Sequence, residues 1–125
     1  MSFSLREIDA KHHIVSGQFS LFPEEVAVHG VSARQGGVSR APWSSLDLGL
    51  HVGDEPEDVI ENRRRYLGAL GLDAARLVTP EQVHGNHVER VGLAEAGKGA
   101  LAYADCIPKT DALITNVPGL PLLLC

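Results

Sequence analysis

The stretch PEQVHGNHVERV, residues 80–91, contains two histidines that could do chemistry. His84 and His87 lie three positions apart, which leaves open a metal site, a catalytic base with a neighbour, or two solvated imidazoles. Gly85 and Asn86 between them disfavour a helix. On an extended strand, a separation of three places the two side chains on opposite faces. The spacing therefore predicts that the histidines do not form a joint ligand pair, and that one can be functional while the other is solvated.

The overall composition is that of one globular domain, with 44% hydrophobic and 22% charged residues among 125. The formal charge is −5 and the one local basic cluster is Arg63-Arg64-Arg65, so the sequence lacks the basic face of a general nucleic-acid binder. No apolar run resembles a signal peptide or approaches the roughly 18 residues of a membrane helix. The two cysteines form no Cys-x-x-Cys motif. We therefore predict a cytoplasmic protein without a nucleic-acid or membrane partner.

The segment GDEPEDVIENRRRYLGALGL is predicted to form a helix. Asp54 can cap its start, Pro56 fits the first turn, and Gly71 supplies a stop. Glu61 and Arg65 can pair at i,i+4 on the exposed side. The predicted buried stripe consists of Val59, Leu67 and Leu70, flanked by Ile60 and Tyr66.

Two polar residues of this helix are harder to place. Asn62 and Arg63 follow Val59 by three and four residues, so helical spacing points both toward the apolar stripe, where polar groups need partners. One interpretation is that Asn62 ties down a neighbouring loop while Arg63 lays its stem across the core edge and reaches water. The other is that Arg63 meets a phosphate or a carboxylate. The pattern favours the first, because long basic side chains commonly extend to solvent in this way.

Two segments before the helix are predicted to be strands. Residues 26–33 (VAVHGVSA) are rich in β-branched side chains, and residues 46–52 (LDLGLHV) alternate apolar and polar side chains with period two. Gly49 leaves space between Asp47 and His51, so a ligand or another backbone could approach closely. A solvent-facing surface with a glycine bulge is equally consistent with this pattern.

The last part of the sequence is predicted to end in a buried strand. Residues 92–109 favour a loop, after which a short strand and a turn at residues 116–119 follow. Residues 120–124 are apolar without polar alternation, which is typical of a strand buried on both faces. Ending such a strand at Cys125 would desolvate a carboxylate. We therefore expect further chain, or a partner segment, to complete the sheet.

Between the two early strands, the turn RQGGVS places a Gly-Gly pair beside Arg34. Backbone N–H groups of such a turn can bind an anion, although a Gly-Gly pair is more often an ordinary turn. No Walker loop, Rossmann fingerprint, Gly-x-Ser-x-Gly or His-Glu-x-x-His motif occurs. These residue types alone leave the reaction class open.

Taken together, HGVSARQGGVSRAPWSSLDLGLHVGDEPEDVIENRRRYLGALGL and EQVHG resemble the YfiH-like family. Its members are also called laccase-domain proteins, multicopper polyphenol oxidases or purine nucleoside phosphorylases. TDALITNVPG matches a later family segment, and the match runs in order from about His29 to the last residue. Ala33 stands where the family usually has Thr, and Asp47 where it usually has Asn. The resemblance implies an α+β layered sandwich with mixed β-sheets flanked by helices, of which residues 1–125 are the N-terminal part of a single domain without an internal boundary.

The resemblance also implies a zinc site made of two histidines and one cysteine. The first ligand is the histidine of Gln-Val-His-Gly, which is His84 here. The family's cysteine lies in an Ala-Asp-Cys motif after the apolar strand, and its second histidine in a later His-Ala-Gly-Trp-Arg-Gly motif; neither occurs at that place in this sequence. The ADC at residues 104–106 precedes TDALIT, so we interpret Cys106 as a loop cysteine. Cys125 lies a few residues before the expected motif.

The activity implied by the resemblance is phosphorolysis of purine nucleosides (adenosine, inosine and methylthioadenosine), with adenosine deamination at the same zinc. Purine nucleosides and phosphate are then the partners. Arg34 is the first candidate for the phosphate contact and Arg63 the second, since cleavage by phosphate requires cations to hold the nucleophile. Gln82 is expected on the same strand face as His84, where it could hydrogen-bond the base or orient the ligand. The alternatives are a copper-dependent polyphenol oxidase and a catalytically incomplete binding module.

Overall fold

The computed structural model describes residues 2–125. Its strands, in chain order, are β1 (Phe3–Asp9), β2 (Ile14–Phe19), β3 (Val31–Ser32), β4 (Val88–Arg90) and β5 (Ala112–Ile114). β1, β2 and β3 form an antiparallel sheet in that order, whereas β4 and β5 pair in parallel. One α-helix, α1 (Pro56–Ala69), lies between β3 and β4 in this part of the chain. The predicted α+β class with mixed sheets is therefore confirmed.

The β1–β2 hairpin is an element that the sequence patterns above do not predict. β2 contributes Ile14, with 0% exposure, to the interior, whereas the edge strand β1 is mostly exposed. The strand predicted at residues 26–33 is wrong except for Val31–Ser32, which pairs with β2. The Pro23 carbonyl accepts the N–H groups of two residues early in that segment. This turn takes donors that a strand ladder would need.

Residues 46–52 have no ladder hydrogen bonds, so the predicted strand is wrong. Leu46 and Leu48 are nevertheless buried, as their alternation predicts. The carbonyls at the centre of the segment accept hydrogen bonds from two side chains of α1, Asn62 and Arg63. Alternation therefore identifies the buried face, while side-chain donors replace the partner strand.

α1 forms in the predicted segment. Pro56 is its first residue, and Gly71, with φ +77°, follows its end. The predicted cap is wrong, because Glu55 is the N-cap residue and makes no side-chain capping bond, while Asp54 Oδ1 accepts the N–H of Glu55. The buried face consists of Val59, Asn62, Arg63, Tyr66 and Leu67. Within residues 2–125, no helix is both long enough and apolar enough to cross a membrane.

The exposed side of α1 carries the predicted Glu61–Arg65 ion pair, with 2.8 Å between Glu61 Oε2 and Arg65 Nε, and Arg64 adds a second partner at 2.6 Å. Arg64 and then Arg65 lower the pKa of the Glu61 carboxyl from 4.5 to about 2. A carboxyl whose pKa is lowered by folding stabilises the fold above its unfolded pKa, and this contribution is lost as the pH falls through the folded value.

We expect Glu61→Gln to lower the free energy of unfolding at pH 7 by about 1 kcal/mol or less, because solvent screens an exposed pair. The difference from wild type should shrink as the pH falls from 4.5 toward 2, where the wild-type carboxyl also becomes neutral. Urea unfolding across this pH range measures it. A difference that stays constant down to pH 2 would contradict the pairing.

The core consists of two groups of buried side chains that meet at residues 77 and 78. Leu77, 1% exposed, packs with Ile14 in the group around α1. Val78, 0% exposed, packs with Val91 in the group beside β4 and β5. Because successive side chains of an extended segment point to opposite sides, this short segment joins the two groups.

Residues 120–124 lie beside this joining segment and do not form a doubly buried strand, so that prediction is wrong. The run pairs with Val78 through two backbone hydrogen bonds. Leu122 and Leu124 are 36% and 52% exposed. Leu120 belongs to the buried group beside β4 and β5, and Leu123 packs against the group around α1, so among the described residues one side of the run contacts the core and the other stays exposed.

Candidate functional site

His84 lies in a tight loop. The backbone N–H groups of Val83, His84 and Gly85 all donate to the carboxylate of Asp111, each at 2.9 Å. His84 has a φ of +59°, in the left-handed region that residues other than glycine rarely adopt. Its side chain is exposed, so its ring nitrogens can be reached from outside. The loop thus presents an accessible imidazole from a fixed backbone.

The strand expected around this histidine begins later, at Val88. The argument that placed Gln82 on the same strand face as His84 is therefore wrong, because loop geometry and not a period of two sets the side-chain directions here. Gln82 is exposed. His87 is exposed too, as expected for a solvated side chain, and its Nε2 lies 2.9 Å from Glu89 Oε1.

Asn62 anchors two loops to α1, as the first interpretation predicts. It is 0% exposed. Its Oδ1 accepts the N–H of Val38 at 2.8 Å, while Nδ2 donates to Ser39 Oγ at 2.8 Å and to the Asp47 carbonyl at 2.9 Å. The Ser39 hydroxyl donates in turn to the carboxylate of Asp54. All three side-chain contacts join segments that carry the family motifs.

Arg63 is only 3% exposed, so the expectation that it reaches water is wrong. Its Nε donates to the Leu48 carbonyl at 2.7 Å, and its Nη1 donates to the carbonyls of Gly99 at 2.7 Å and Ala100 at 3.1 Å. Burial lowers the pKa of the guanidinium, and the nearby Cys125 and Asp47 side chains oppose that shift. Arginine nevertheless stays charged in proteins. The guanidinium therefore binds three carbonyls of two other segments around one buried positive charge.

Ser45 accepts two of the N–H groups of the Gly-Gly turn. Gly37 N–H donates to Ser45 Oγ at 3.2 Å, and Ser39 N–H donates to the Ser45 carbonyl at 2.9 Å. These two N–H groups are therefore not available to bind an anion, as one interpretation of the turn requires. Arg34 beside the turn is exposed, and its Nε donates to the Ser44 carbonyl at 2.7 Å. This bond orients the guanidinium while its side chain stays accessible to solvent.

A cleft of about 450 Å³ lies against the LDLG segment, where Asp47, Gly49 and His51 face Cys125. Burial raises the pKa of the Asp47 carboxyl; the Gly49 N–H and His51 oppose this shift, whereas the neighbouring Asp54 adds to it. Asp47 Oδ2 is buried without a hydrogen-bond partner among the described residues. The cleft is thus a place where another backbone or ligand could approach. Its lining includes none of Arg34, Arg63, Gln82 and His84.

The described residues supply one candidate metal ligand and not a complete set. Within residues 2–125, no group of three His, Cys, Asp or Glu side chains could hold a metal ion. Cys106 lies in the loop after the 3-10 helix Tyr103–Asp105, as predicted. Burial raises the pKa of both the Cys106 and the Cys125 thiol, which disfavours the thiolate that metals bind. His84, exposed and held by its loop, fits the part of a single ligand.

Comparison with known proteins supports one family. The profile of a family described as multi-copper polyphenol oxidoreductase laccase matches residues 28–125. Purine nucleoside phosphorylase YlmD of Geobacillus stearothermophilus is 42% identical over 99 residues, which cover 79% of this chain and 36% of that protein. Its crystal structure matches with a TM-score of 0.73 and 41% identity, covering 74% of this chain and 34% of that one.

Two further relatives support the same family. Purine nucleoside phosphorylase YfiH of Escherichia coli (strain K12) is 42% identical over 95 residues, covering 75% of this chain and 39% of that protein. The crystal structure of the hypothetical protein YfiH of Bacillus licheniformis has a TM-score of 0.73 at 28% identity, covering 95% of this chain and 40% of that one. The chain thus spans between 34% and 40% of the length of these relatives. Because the family profile covers most of the sequence, the chain belongs to the YfiH-like family of multi-copper polyphenol oxidoreductase laccase proteins.

Proposed function

We propose that the complete protein is a zinc-dependent purine nucleoside phosphorylase in which His84 is one zinc ligand. The observation that carries the proposal is the loop of the Gln-Val-His-Gly motif, which presents an exposed imidazole from a backbone fixed by three hydrogen bonds. The names of the relatives YlmD and YfiH support the reaction class. The proposed substrates are phosphate and the nucleosides adenosine, inosine and methylthioadenosine. We also propose that adenosine is deaminated at the same site. The proposed location of the protein is the cytoplasm.

The proposed zinc site requires ligands beyond this chain. We propose that a second histidine and a cysteine come from further chain or from a partner segment, in keeping with the share of the relatives' length that the chain spans. Zinc held by three protein ligands leaves a fourth position for water or substrate, which suits deamination. His84 would contribute an imidazole nitrogen, whose direction depends on the loop around Asp111.

Of the proposed phosphate contacts, Arg34 is favoured over Arg63. Arg34 is exposed, and the bond from its Nε to the Ser44 carbonyl orients the guanidinium without using the terminal nitrogens. Arg63 uses Nε and Nη1 for backbone carbonyls in the interior, so Nη2 is the nitrogen left for a substrate anion. Gln82, exposed and two residues before His84, is proposed to contact the base or a ligand from the same loop.

Incubation of the complete protein with adenosine tests this function. We expect release of adenine together with ribose 1-phosphate, and only when phosphate is present. His84→Ala should lower kcat/KM by about 100-fold or more, since it removes a metal ligand. His87→Ala, a change of the same kind at an exposed histidine three residues away, should leave the rate near wild type.

The same assay separates the alternatives. Adenine release that does not depend on phosphate would contradict phosphorolysis, and turnover of a phenol with bound copper would favour the polyphenol oxidase named in the family description. Absence of all turnover by the metal-loaded complete protein would leave a binding module.

A further inference from the structure

Asp111 holds the backbone of the His84 loop at three consecutive residues. Its Oδ1 accepts the N–H groups of Val83 and His84, and its Oδ2 accepts that of Gly85, each at 2.9 Å. Hydrogen bonds to an ionised carboxylate are stronger than those between neutral groups. A side chain at Gly85 would bring its Cβ to 3.0 Å from Asp111 Oδ2, so the glycine allows this close approach.

Asp111 is itself fixed by the parallel sheet. It directly precedes β5, and its own N–H donates to the carbonyl of His87 at 3.0 Å. β5 pairs with β4, beginning with Val88 opposite Ala112. Val88, which follows the loop, therefore lies in β4, and Asp111, which holds the loop, directly precedes the partner strand β5.

The other end of the loop is closed in the same way. Glu81 N–H donates to the carbonyl of Ile107 at 2.7 Å, and the Glu81 carbonyl accepts the N–H of Thr110 at 2.9 Å. Thr110 is 0% exposed, so this end is anchored in the interior. Residues 82–87 are thus tied to the segment at residues 107–112 before, within and after the turn.

The conformation that these bonds maintain is an unfavourable one for histidine. With φ at +59°, His84 occupies the left-handed region, from which a free chain would relax. The carboxylate of Asp111 binds the N–H groups on both sides of this residue and so opposes that relaxation. The direction in which the imidazole leaves the loop consequently depends on Asp111.

We propose that Asp111 is the positioning residue of His84, acting on the backbone of the ligand loop and not on the imidazole. This inference rests on the proposed function, in which His84 binds zinc. Residues outside the ligand set commonly orient a metal-binding histidine through its second ring nitrogen, and their loss weakens metal affinity by about 10- to 100-fold. Here the Asp111 carboxylate orients the histidine by binding the main chain of its loop.

Variants of Asp111 in the complete protein test the proposal by two measurements, amide hydrogen exchange of the metal-free protein and zinc affinity. Asp111→Ala should speed exchange at Val83, His84 and Gly85 and weaken zinc binding by about 10- to 100-fold. Asp111→Asn keeps one acceptor oxygen and should lose less on both measures, which separates positioning from a general loss of folding. Asp73→Ala is the matched control, because the Asp73 carboxylate also accepts a backbone N–H, that of Ala75, at an exposed turn. The zinc affinity of the Asp73→Ala protein should equal that of wild type.

The outcomes distinguish this inference from the function on which it rests. Zinc affinity that is unchanged in Asp111→Ala but lost in His84→Ala would overturn the positioning role alone. Zinc affinity unchanged in His84→Ala would overturn the proposed metal site. Equal losses in Asp111→Ala and Asp73→Ala would also overturn the positioning role, because the effect would then be general.

Discussion

Replacing Arg63 with methionine is expected to lower the free energy of unfolding of the complete protein by about 3 kcal/mol or more. Methionine fills much of the space of the arginine stem but donates no hydrogen bond. The buried carbonyls of Leu48, Gly99 and Ala100 would lose their donor together. A buried acceptor left unpaired costs about 1–3 kcal/mol, and partial relaxation keeps the three costs from adding fully.

Arg64→Met provides the matched control for Arg63→Met. Arg64 is the next residue of the same helix, but its side chain is 65% exposed and pairs with Glu61 at the surface. Its replacement should leave the urea midpoint near wild type, since exposed ion pairs contribute little. Arg63→Lys should recover only part of the loss, because an ammonium group lacks the planar fork that spans three carbonyls. Equal midpoints for Arg63→Met and Arg64→Met would contradict the structural role assigned to Arg63.

Gly37→Ala is expected to destabilise the protein by roughly 3 kcal/mol, because the turn has no room for a side chain. A Cβ at Gly37 would overlap the carbonyl oxygen of Ser45, and would lie 2.5 Å from Asn62 Oδ1 and 2.6 Å from Leu46 Cα. Two of these neighbours are backbone atoms, and the third belongs to a side chain with 0% exposure. Asn62 Oδ1 accepts the Val38 N–H and the Ser45 carbonyl accepts the Ser39 N–H, so moving either atom disturbs a bond that holds the turn.

Gly68→Ala is the matched control for Gly37→Ala, because it makes the same glycine-to-alanine replacement at a position with room for a side chain. Apart from its chain neighbours and the backbone of its own helix, no atom lies within 4 Å of a Cβ at Gly68, which is in the last turn of α1. Alanine favours the helix over glycine by up to about 1 kcal/mol, so this variant should be slightly more stable than wild type. The two substitutions therefore shift the thermal midpoint in opposite directions. A Gly37→Ala protein as stable as Gly68→Ala would show that the turn is not packed as described.

Features whose causes lie within one segment could be predicted from the sequence. α1 follows from Pro56, Gly71 and the spacing of its apolar residues, and the same spacing places Asn62 in the interior. The ion pair of Glu61 and Arg65 also follows from local spacing. Such arguments need no knowledge of what α1 packs against.

Features that depend on distant partners could not be predicted in this way. The pattern at residues 46–52 indicates which side chains are buried, but not that Asn62 and Arg63 take the place of a neighbouring strand. Likewise, a long basic side chain commonly extends along the core edge to solvent. Here three carbonyls from two other segments bind the Arg63 guanidinium in the interior instead. Local periodicity carries no information about these donors and acceptors.

In the candidate site, too, a local motif identifies His84, whereas a distant residue determines the shape of its loop. The Gln-Val-His-Gly motif distinguishes His84 from His87, which spacing alone does not do. The strand predicted around His84 is wrong, because the bonds that shape this loop come from Asp111, 26 to 28 residues further along the chain. The Thr-Asp step before β5 is the sequence signal for this contact, and it is too common to identify a site by itself.

Zinc content measured together with phosphorolysis tests the central claim most directly. The complete protein, its His84→Ala variant and its His87→Ala variant would be purified identically and analysed for bound metal and for phosphate-dependent release of adenine from adenosine. We predict stoichiometric zinc and turnover in wild type and His87→Ala, and the loss of both in His84→Ala. Stoichiometric zinc and full turnover in His84→Ala would contradict the assignment of this loop to the metal site.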